Sequence, residues 1–194
     1  MIHYTNIKRH DNLPWEEYLL LPGYSNSFLK SERNGLSSYM EETDKMRLGK
    51  LVDAIITGGS VNMSSEMYPI ARDIASKITG TFGTMITRFD KQVAFSATAN
   101  YGGFSMPVRG LLDFLLPKTA VIDLKVIHGK SIEPTVSHFG YDNQLWHYGK
   151  LAGVTKGYLM VYSVPLKKTT LINMDISNQR NEFFEDKILK FGTV

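Results

Sequence analysis

The sequence predicts an α/β fold in which a mixed central β-sheet is flanked by helices. Three observations favour this class. Two segments, 44–59 and 64–80, carry apolar residues at helical spacing ahead of any clear strand. Three apolar strand patterns then follow at 91–99, 104–116 and 119–126, with short turns between them. A further helix, a strand pair and a closing helix complete the chain, and this order is typical of a sheet covered by helices.

The helices of the first half have recognisable ends. Ser25 or Asn26 is positioned to cap a helix that begins in PGYSNSFLKS. The segment DKMRLGKLVDAIITGG carries an apolar stripe and is predicted to end at Gly58. The next helix, in SSEMYPIARDIASKITG, is predicted to break or restart near Pro69. The glycine-containing residues 80–84 are predicted to form a turn.

The second half is predicted to continue as meander, helix, strand pair and helix. The helix lies in FGYDNQLWHYGKLAG, the strands in GYLMVYSV and TTLINMDI, and the amphipathic closing helix in NQRNEFFEDKILKF. We expect one domain over 1–194, with 1–45 as an N-terminal helical extension packed on the core.

Composition excludes several classes of function. The chain has 194 residues, 43% hydrophobic and 21% charged, as in an ordinary globular domain. No apolar run is long enough to span a membrane, so no membrane association is expected. The absence of cysteine excludes disulfides, thiolate zinc sites and cysteine-ligated iron–sulfur clusters, and favours a cytoplasmic location. Residues 108–168 carry eight Lys/Arg against four Asp/Glu, which suits either a polyanionic partner or a solvated lysine surface.

One strand pair, GLLDFLLPKTAVIDLKV, carries three charges among apolar residues: Asp113, Asp123 and Lys125. Charged side chains are rare in such places because burying an unpaired charge is costly. Residues two apart in a strand share a face, so Asp123 and Lys125 point the same way. If the turn pairs Leu116 with Ala120, Asp113 falls opposite Asp123, and two carboxylates that close need a cation.

That cation is either the lysine alone or the lysine with a divalent metal. Mg²⁺ prefers one or two carboxylates, together with waters and substrate phosphate oxygens. A metal held there acidifies a bound water and clamps a phosphate, while an amine orients the nucleophile or offsets developing charge. The pattern therefore predicts phosphodiester hydrolysis, and the alternative is a surface hairpin with an ordinary ion pair.

The segments VRGLLDF, VIDLKV and YDNQLWHY resemble the PD-(D/E)xK nuclease superfamily. The similar branch contains the phage recombination exonucleases related to RecE (exonuclease VIII), lambda exonuclease and the RecB nuclease domain. The resemblance covers most of the chain in order, from YSNSFLKS and LGKLVDAII to the Gln-x-x-x-Tyr helix. It implies a restriction-endonuclease-like core and a metal-dependent deoxyribonuclease.

The resemblance also implies a set of metal ligands. Asp113, Asp123 and the backbone carbonyl of Leu124 would hold one or two Mg²⁺ (or Mn²⁺) ions. Relatives carry a Gly-x-x-x-His helix before the hairpin, and the histidine helps to bind the metal. Here Gly49 is followed by Asp53 in that place, so Asp53 is a further candidate ligand.

The remaining site residues follow from the same resemblance. Lys125 would orient the attacking water or stabilise the pentavalent phosphorus. Gln144 would position the substrate or the lysine, and Tyr148, which lies on the same helix face, would support it. Relatives often carry Glu where this chain has Gln92, and Gln92 is assigned no role.

DNA is the partner that the resemblance implies. The expected DNA contacts are Arg109, Lys130, Tyr148 and Lys150. The expected activity is exonucleolytic, on double-stranded ends, with a 3′ single strand passed to an annealing protein, and the enzyme could be a ring-shaped homo-oligomer. A CRISPR-adaptation type of nuclease is disfavoured because the chain lacks cysteine. A structure-selective endonuclease and a non-catalytic DNA-end-binding protein remain as alternatives.

Overall fold

A seven-stranded sheet organises the chain. The computed structural model describes residues 1–33, 42–130, 140–178 and 180–194. The strands are β1 (His3–His10), β2 (Tyr24–Ser25), β3 (Asp90–Tyr101), β4 (Phe104–Leu116), β5 (Ala120–Ile127), β6 (Lys156–Ser163) and β7 (Lys168–Asp175). Six of them lie in the order β1-β3-β4-β5-β6-β7, and β2 pairs with β4 outside this row.

The sheet is mixed, as the sequence predicts. β5 runs parallel to β6, and β2 runs parallel to β4, whereas the other neighbours are antiparallel. The predicted meander corresponds to β3, β4 and β5, and the predicted strand pair corresponds to β6 and β7. The connection between the parallel strands β5 and β6 contains a helix, as such crossovers usually do.

Helices cover both faces of the sheet. They are α1 (Trp15–Leu20), α2 (Asn26–Arg33), α3 (Asp44–Thr57), α4 (Tyr68–Ile86), α5 (Tyr141–Ala152) and α6 (Glu182–Phe191). On one face, α3 and α4 pack against apolar residues that include Phe114 and Ile122. On the other face, α5 and α6 pack against residues that include Val93 and Val121. Among the described residues, no helix is long and apolar enough to cross a membrane.

Both ends of α3 are capped, and the helix ends at the predicted Gly58. The hydroxyl of Thr43 accepts a hydrogen bond from the backbone N–H of Met46 at 3.3 Å, which caps the N-terminus. Gly58 ends the helix in the left-handed conformation at φ +87°, which glycine adopts without a steric penalty. These two caps fix where the helix begins and ends, and therefore which of its residues face the sheet.

Two predicted local structures are wrong. Residues 3–10 are not helical: they form the edge strand β1, which pairs with β3. This stretch is mostly exposed and carries no apolar stripe that a helix could bury, whereas pairing with β3 satisfies its backbone groups. Residues 80–84 are not a turn but continue α4, because Ile78 and Ile86 on either side are buried in the same apolar core.

The strand β4 changes its neighbour along its length. Residues 108–109 pair with β2, and 114–116 pair with β5. Between these pairings, 110–113 have no strand on that side among the described residues. The helix α5 packs over the sheet face here: a Cβ atom on Gly110 would lie 2.7 Å from Cδ1 of Leu151, so glycine allows this approach without displacing that side chain. The gap in the sheet is the position of the candidate site.

Candidate active site

The hairpin has the predicted register. Leu116 pairs with Ala120, and two further pairs follow along β4 and β5. The next residues in this register are Asp113 and Asp123, but the paired ladder stops before them. Oδ2 of Asp113 instead accepts a hydrogen bond from the backbone N–H of Leu124 at 2.7 Å. The strands therefore separate at the two acidic residues, and a carboxylate takes the place of a main-chain hydrogen bond.

The same interruption continues into β3. The pairs Lys91–Phe114 and Val93–Leu112 flank a step at which Gln92 lies opposite Asp113 without being paired. The backbone of Gln92 has φ +51°, a left-handed conformation that is uncommon for a residue other than glycine. Strained backbone of this kind clusters at functional sites. One row across β3, β4 and β5 thus carries a glutamine and two aspartates.

The side chain of Gln92 reaches the helix α3. Its Nε2 donates to Oδ2 of Asp53 at 3.3 Å and to Oγ1 of Thr57 at 3.1 Å. The hydroxyl of Thr57 in turn donates to the backbone carbonyl of Asp53 at 2.8 Å. This network leaves Oδ1 of Asp53 buried and without a hydrogen-bond partner among the residues that the structure describes.

The predicted lysine and glutamine both contact Asp123. Lys125 forms an ion pair with Oδ2 of Asp123, whose side chain is 1% exposed. Nε2 of Gln144 donates to Oδ1 of Asp123 at 3.1 Å and to the Tyr148 hydroxyl at 2.8 Å. The Lys125 ammonium also lies 5.1 Å from the centre of the Tyr141 ring. Both oxygens of Asp123 are therefore held by named partners.

These side chains face a cavity of about 670 Å³, here called the acidic cavity. Asp53 enters from α3, Asp113 from β4, Asp123 and Lys125 from β5, and Gln144 from α5. Other lining residues are Lys45, Lys50, Leu124, His128 and Tyr141. The acidic cavity thus brings together the predicted catalytic residues, and it adds the predicted ligand Asp53.

Burial and mutual proximity shift the pKa values of the carboxylates in the acidic cavity. Burial, followed by the charges of Asp53 and Asp123, raises the pKa of Asp113 well above its ordinary value. Burial likewise raises the pKa of Asp53 from 3.8 to about 6, against the opposing effect of Lys125. Burial alone would lower the pKa of Lys125, but the carboxylates of Asp123 and Asp113 outweigh it, and the pKa is raised. The lysine is therefore charged at neutral pH, and the acids favour the arrival of a further cation.

We expect Asp53 to make the metal-free protein less stable as the pH rises. Because its pKa is raised in the folded state from 3.8 to about 6, the folded state holds the proton more tightly, and stability is lost as the pH rises through that interval. The Asp53→Asn variant avoids this loss. In EDTA, its melting temperature relative to the wild type should therefore increase between about pH 4 and pH 6 and stay level above. If the difference in melting temperature between Asp53→Asn and the wild type does not change with pH, the pKa of Asp53 is not raised by burial as described.

A divalent ion fits the residues of the acidic cavity. Among the described residues, no group of three or more His, Asp or Glu side chains already stands ready to hold a metal. Mg²⁺, however, needs only one or two carboxylates, and waters and substrate oxygens complete its shell. Asp113, Asp123 and the unpartnered Oδ1 of Asp53 are the side-chain oxygens that could serve. Leu124 lines the same cavity, and ligation by its carbonyl stays a prediction.

Two of the expected DNA contacts have partners within the protein. Nη1 of Arg109 donates to the carbonyls of Tyr18, Leu19 and Leu21, at 3.2, 2.6 and 2.6 Å, and so fixes the end of α1. Tyr148 is 7% exposed and supports Gln144. Contact of either residue with DNA stays a prediction.

The predicted lysine contacts differ in position. Lys150 places its ammonium 5.2 Å from the Trp146 ring centre, on a different face of α5 from the one that carries Gln144. It does not line the acidic cavity. Lys130 is exposed and directly follows Gly129, which does line the cavity, so its contact with phosphate stays a prediction.

Sequence reasoning missed the part that Gln92 plays. Gln92 is a polar residue directly before the apolar run 93–95, but only the observed register of β3 and β4, which the sequence did not predict, places it opposite Asp113.

The histidines were expected on the surface or at caps, because His128, His138 and His147 lack the spacing of metal ligands. His147 is instead fully buried. Its Nδ1 lies 2.7 Å from the Tyr4 hydroxyl, and burial lowers its pKa to about 4. His138 lies outside the described residues.

The fold is similar to that of solved proteins. One is a "Putative exonuclease" from Eubacterium rectale, with a TM-score of 0.54 at 18% identity, over 89% of this chain and 71% of that chain. Another is SSO0001, with a TM-score of 0.45 at 16% identity over 84% and 82%, too low to support an argument. No family model and no curated protein matches the sequence. The predicted α/β class, with a mixed sheet flanked by helices, is confirmed.

Proposed function

We propose that this protein is a metal-dependent deoxyribonuclease that hydrolyses phosphodiester bonds, acting as an exonuclease on double-stranded DNA ends. The observation that carries the proposal is the convergence of Asp113, Asp123 and Lys125 in one cavity, with Gln144 bonded to the same carboxylate. The residue types and their spacing suit phosphoryl chemistry, and the fold is similar to that of a protein described as an exonuclease.

Each side chain has a defined task in this proposal. When bound, Mg²⁺ or Mn²⁺, as one or two ions, supplies a Lewis acid for the phosphate and lowers the pKa of a water. Asp113 and Asp123 hold it, with Asp53 as a further ligand. Lys125 orients the attacking water and offsets the negative charge that develops on the phosphate. Gln144 fixes the orientation of Asp123, because its amide donates to Oδ1.

Basic residues at the rim support DNA as the substrate. Lys45 and Lys50 line the acidic cavity from α3, and Lys130 directly follows Gly129, which lines it as well. Lys50 is also ion-paired with Glu42 at 2.6 Å, but both side chains are on the surface, where such a pair is weak and can exchange for phosphate. The proposal extends, on the resemblance alone, to a role in phage-type recombination in the cytoplasm, an annealing-protein partner and a homo-oligomer.

Linear and circular DNA distinguish the proposal from its alternatives. Incubation with Mg²⁺ should degrade linear duplexes from their ends and leave covalently closed circles intact, and EDTA should stop the reaction. Nicking of the circles would instead identify an endonuclease. Retention of DNA without cleavage would identify a binding protein. The Asp123→Ala variant, purified in parallel, shows whether any cleavage comes from a contaminant.

Gln92 should act on the metal through Asp53. The Gln92→Gly variant removes the donor to Asp53 but relieves the left-handed backbone, so we expect stability to be kept or raised. Mn²⁺ binding should weaken about 10- to 100-fold, the usual effect of losing a residue that orients a ligand. Calorimetric titration with Mn²⁺ measures this without DNA, and Thr98→Ala on the same strand is the control. If the Mn²⁺ affinity is unchanged, Gln92 has no role in metal binding.

A further inference from the structure

A second cavity adjoins the acidic cavity. It has a volume of about 520 Å³ and is here called the lateral cavity. Its own walls include Trp15, Tyr18 and Leu19 from α1, Asn26 from α2, and Arg109 from β4. It also shares Lys50, Asp53 and Asp113 with the acidic cavity. The two cavities therefore adjoin at the acidic residues, and the lateral cavity is within the size range of small-molecule sites.

The wall formed by α1 is aromatic and open. Trp15 is 54% exposed although it is one of the largest apolar side chains of the protein. Its ring centre lies 5.4 Å from that of Tyr18, with 32° between the planes. An exposed indole beside a cleft is a stacking platform for a planar group, and nucleobases of any sequence present such a face.

This aromatic wall is held in place by Arg109. The guanidinium carbon lies 5.3 Å from the centre of the Tyr18 ring, and Nη1 donates to three carbonyls at the end of α1. The arginine expected to contact phosphate thus anchors the short helix that carries Trp15. Anchoring matters because a helix of six residues has little stability by itself.

Two residues that line the lateral cavity each have a buried side-chain atom without a hydrogen-bond partner in the described part of the chain. Asn26 is 5% exposed, and its Oδ1 accepts no hydrogen bond from the described part of the chain. Nε of Arg109 is buried and likewise donates to no described residue. Buried polar groups are normally satisfied, and exceptions call for a missing partner. An unpaired acceptor and an unpaired donor together suit a ligand with hydrogen-bonding groups of both kinds.

We propose that the lateral cavity is a nucleotide subsite, which receives the DNA residue next to the scissile phosphate and stacks its base on Trp15. The ligand identity rests on the proposed function, because the walls shared at Asp53 and Asp113 are what relate this cavity to a DNA strand. Asn26 and Arg109 offer an acceptor and a donor to the sugar or the base edge. Stacking on Trp15 favours a base that has left the duplex at a frayed end, since a base inside a duplex is already stacked on both faces.

Tryptophan fluorescence tests the subsite without cleavage. The chain has two tryptophans, and Trp146 is buried at 4% exposure with its Nε1 bonded to the carbonyl of Asn178. Quenching by a short single-stranded oligonucleotide, measured in EDTA and again in Ca²⁺, therefore reports Trp15. We expect saturable quenching that disappears in Trp15→Phe. Absence of quenching in both conditions would overturn the proposal.

Binding of a labelled oligonucleotide, followed by anisotropy, provides the matched variants. Trp15→Ala should weaken binding about 5- to 100-fold, whereas Trp15→Phe, which keeps an aromatic ring, should bind within about threefold of the wild type. Leu20→Ala, on the same helix and 82% exposed, is the control for changes in α1. If Trp15→Ala and Leu20→Ala bind equally well, the subsite does not exist.

A substrate change separates stacking from a general effect on folding. An oligonucleotide whose terminal residue lacks its base should bind the wild type as weakly as the intact oligonucleotide binds Trp15→Ala. Equal wild-type affinity for both oligonucleotides would overturn the proposal. The two proposals can fail independently. Quenching without DNA cleavage would support the subsite and contradict the nuclease activity. Cleavage without quenching would support the nuclease activity and contradict the subsite.

Discussion

Replacing Asp113 with asparagine is expected to abolish DNA cleavage while raising the melting temperature of the metal-free protein. Cleavage should fall at least about 1,000-fold, because loss of a metal ligand removes several kcal/mol of stabilisation from the transition state. Stability should rise because the pKa of Asp113 is raised by burial and by two neighbouring carboxylates, so its charged form is unfavourable in the fold. Asparagine keeps an oxygen that can accept the Leu124 N–H.

Two measurements check this prediction together. Calorimetric melting in EDTA near neutral pH should show an increase of a few degrees, since each kcal/mol shifts the melting temperature of a domain of this size by about 2–4 °C. Cleavage of linear DNA in Mg²⁺ is then compared with that of the wild type. Asp175→Asn, an exposed acid at the end of β7, is the control and should cleave normally. A variant at Asp113 that retains cleavage within tenfold of the wild type would contradict the assigned ligand.

Replacing Lys125 with methionine is expected to separate chemistry from metal binding. The lysine is ion-paired with Asp123 and is charged, so it can orient a water and offset negative charge on the phosphate. The rate constant kcat should fall about 100- to 1,000-fold, the range for loss of one preorganised charge-stabilising donor. Mn²⁺ affinity should stay the same or increase, because Oδ2 of Asp123 loses its competing partner.

Stability gives a second readout for the lysine. Without Lys125, the Asp123 carboxylate, 1% exposed, is left buried without its cation, so the metal-free variant should melt at a lower temperature. Mn²⁺ should restore most of the loss, because the ion replaces the missing charge. Lys156→Met, an exposed lysine on β6, is the control. Loss of Mn²⁺ binding in parallel with loss of cleavage would show that the lysine acts on the metal site and not on the reaction.

Local sequence rules predicted the hairpin and the helix that faces it. A turn at the Pro-Lys pair implied a register in which Leu116 pairs with Ala120, and the structure has that register. Spacing of four residues placed Gln144 and Tyr148 on one helix face, where they are hydrogen-bonded. A turn and a helix face are determined by residues a few positions apart, so both can be predicted from the sequence alone.

Long-range contacts were the part that the sequence did not predict. Strand β1 is polar and lies at the sheet edge, so its own residues carry no apolar pattern that would predict pairing with β3. The sequence likewise did not show that the guanidinium of Arg109 binds the carbonyls of a helix some 90 residues earlier in the chain. Gln92 acquires its contact with Asp53 only when α3 and β3 are brought together. In each case the deciding partner is distant in sequence.

The proposed chemistry requires that Asp113 and Asp123 share a divalent ion. Anomalous diffraction from crystals soaked in Mn²⁺ locates such an ion independently of any assay. We expect a peak between the two carboxylates, with metal–oxygen distances of about 2.1 Å, and no such peak in Asp113→Asn. If saturating Mn²⁺ gives no peak in the acidic cavity, or a peak only elsewhere, the two carboxylates do not form the metal site.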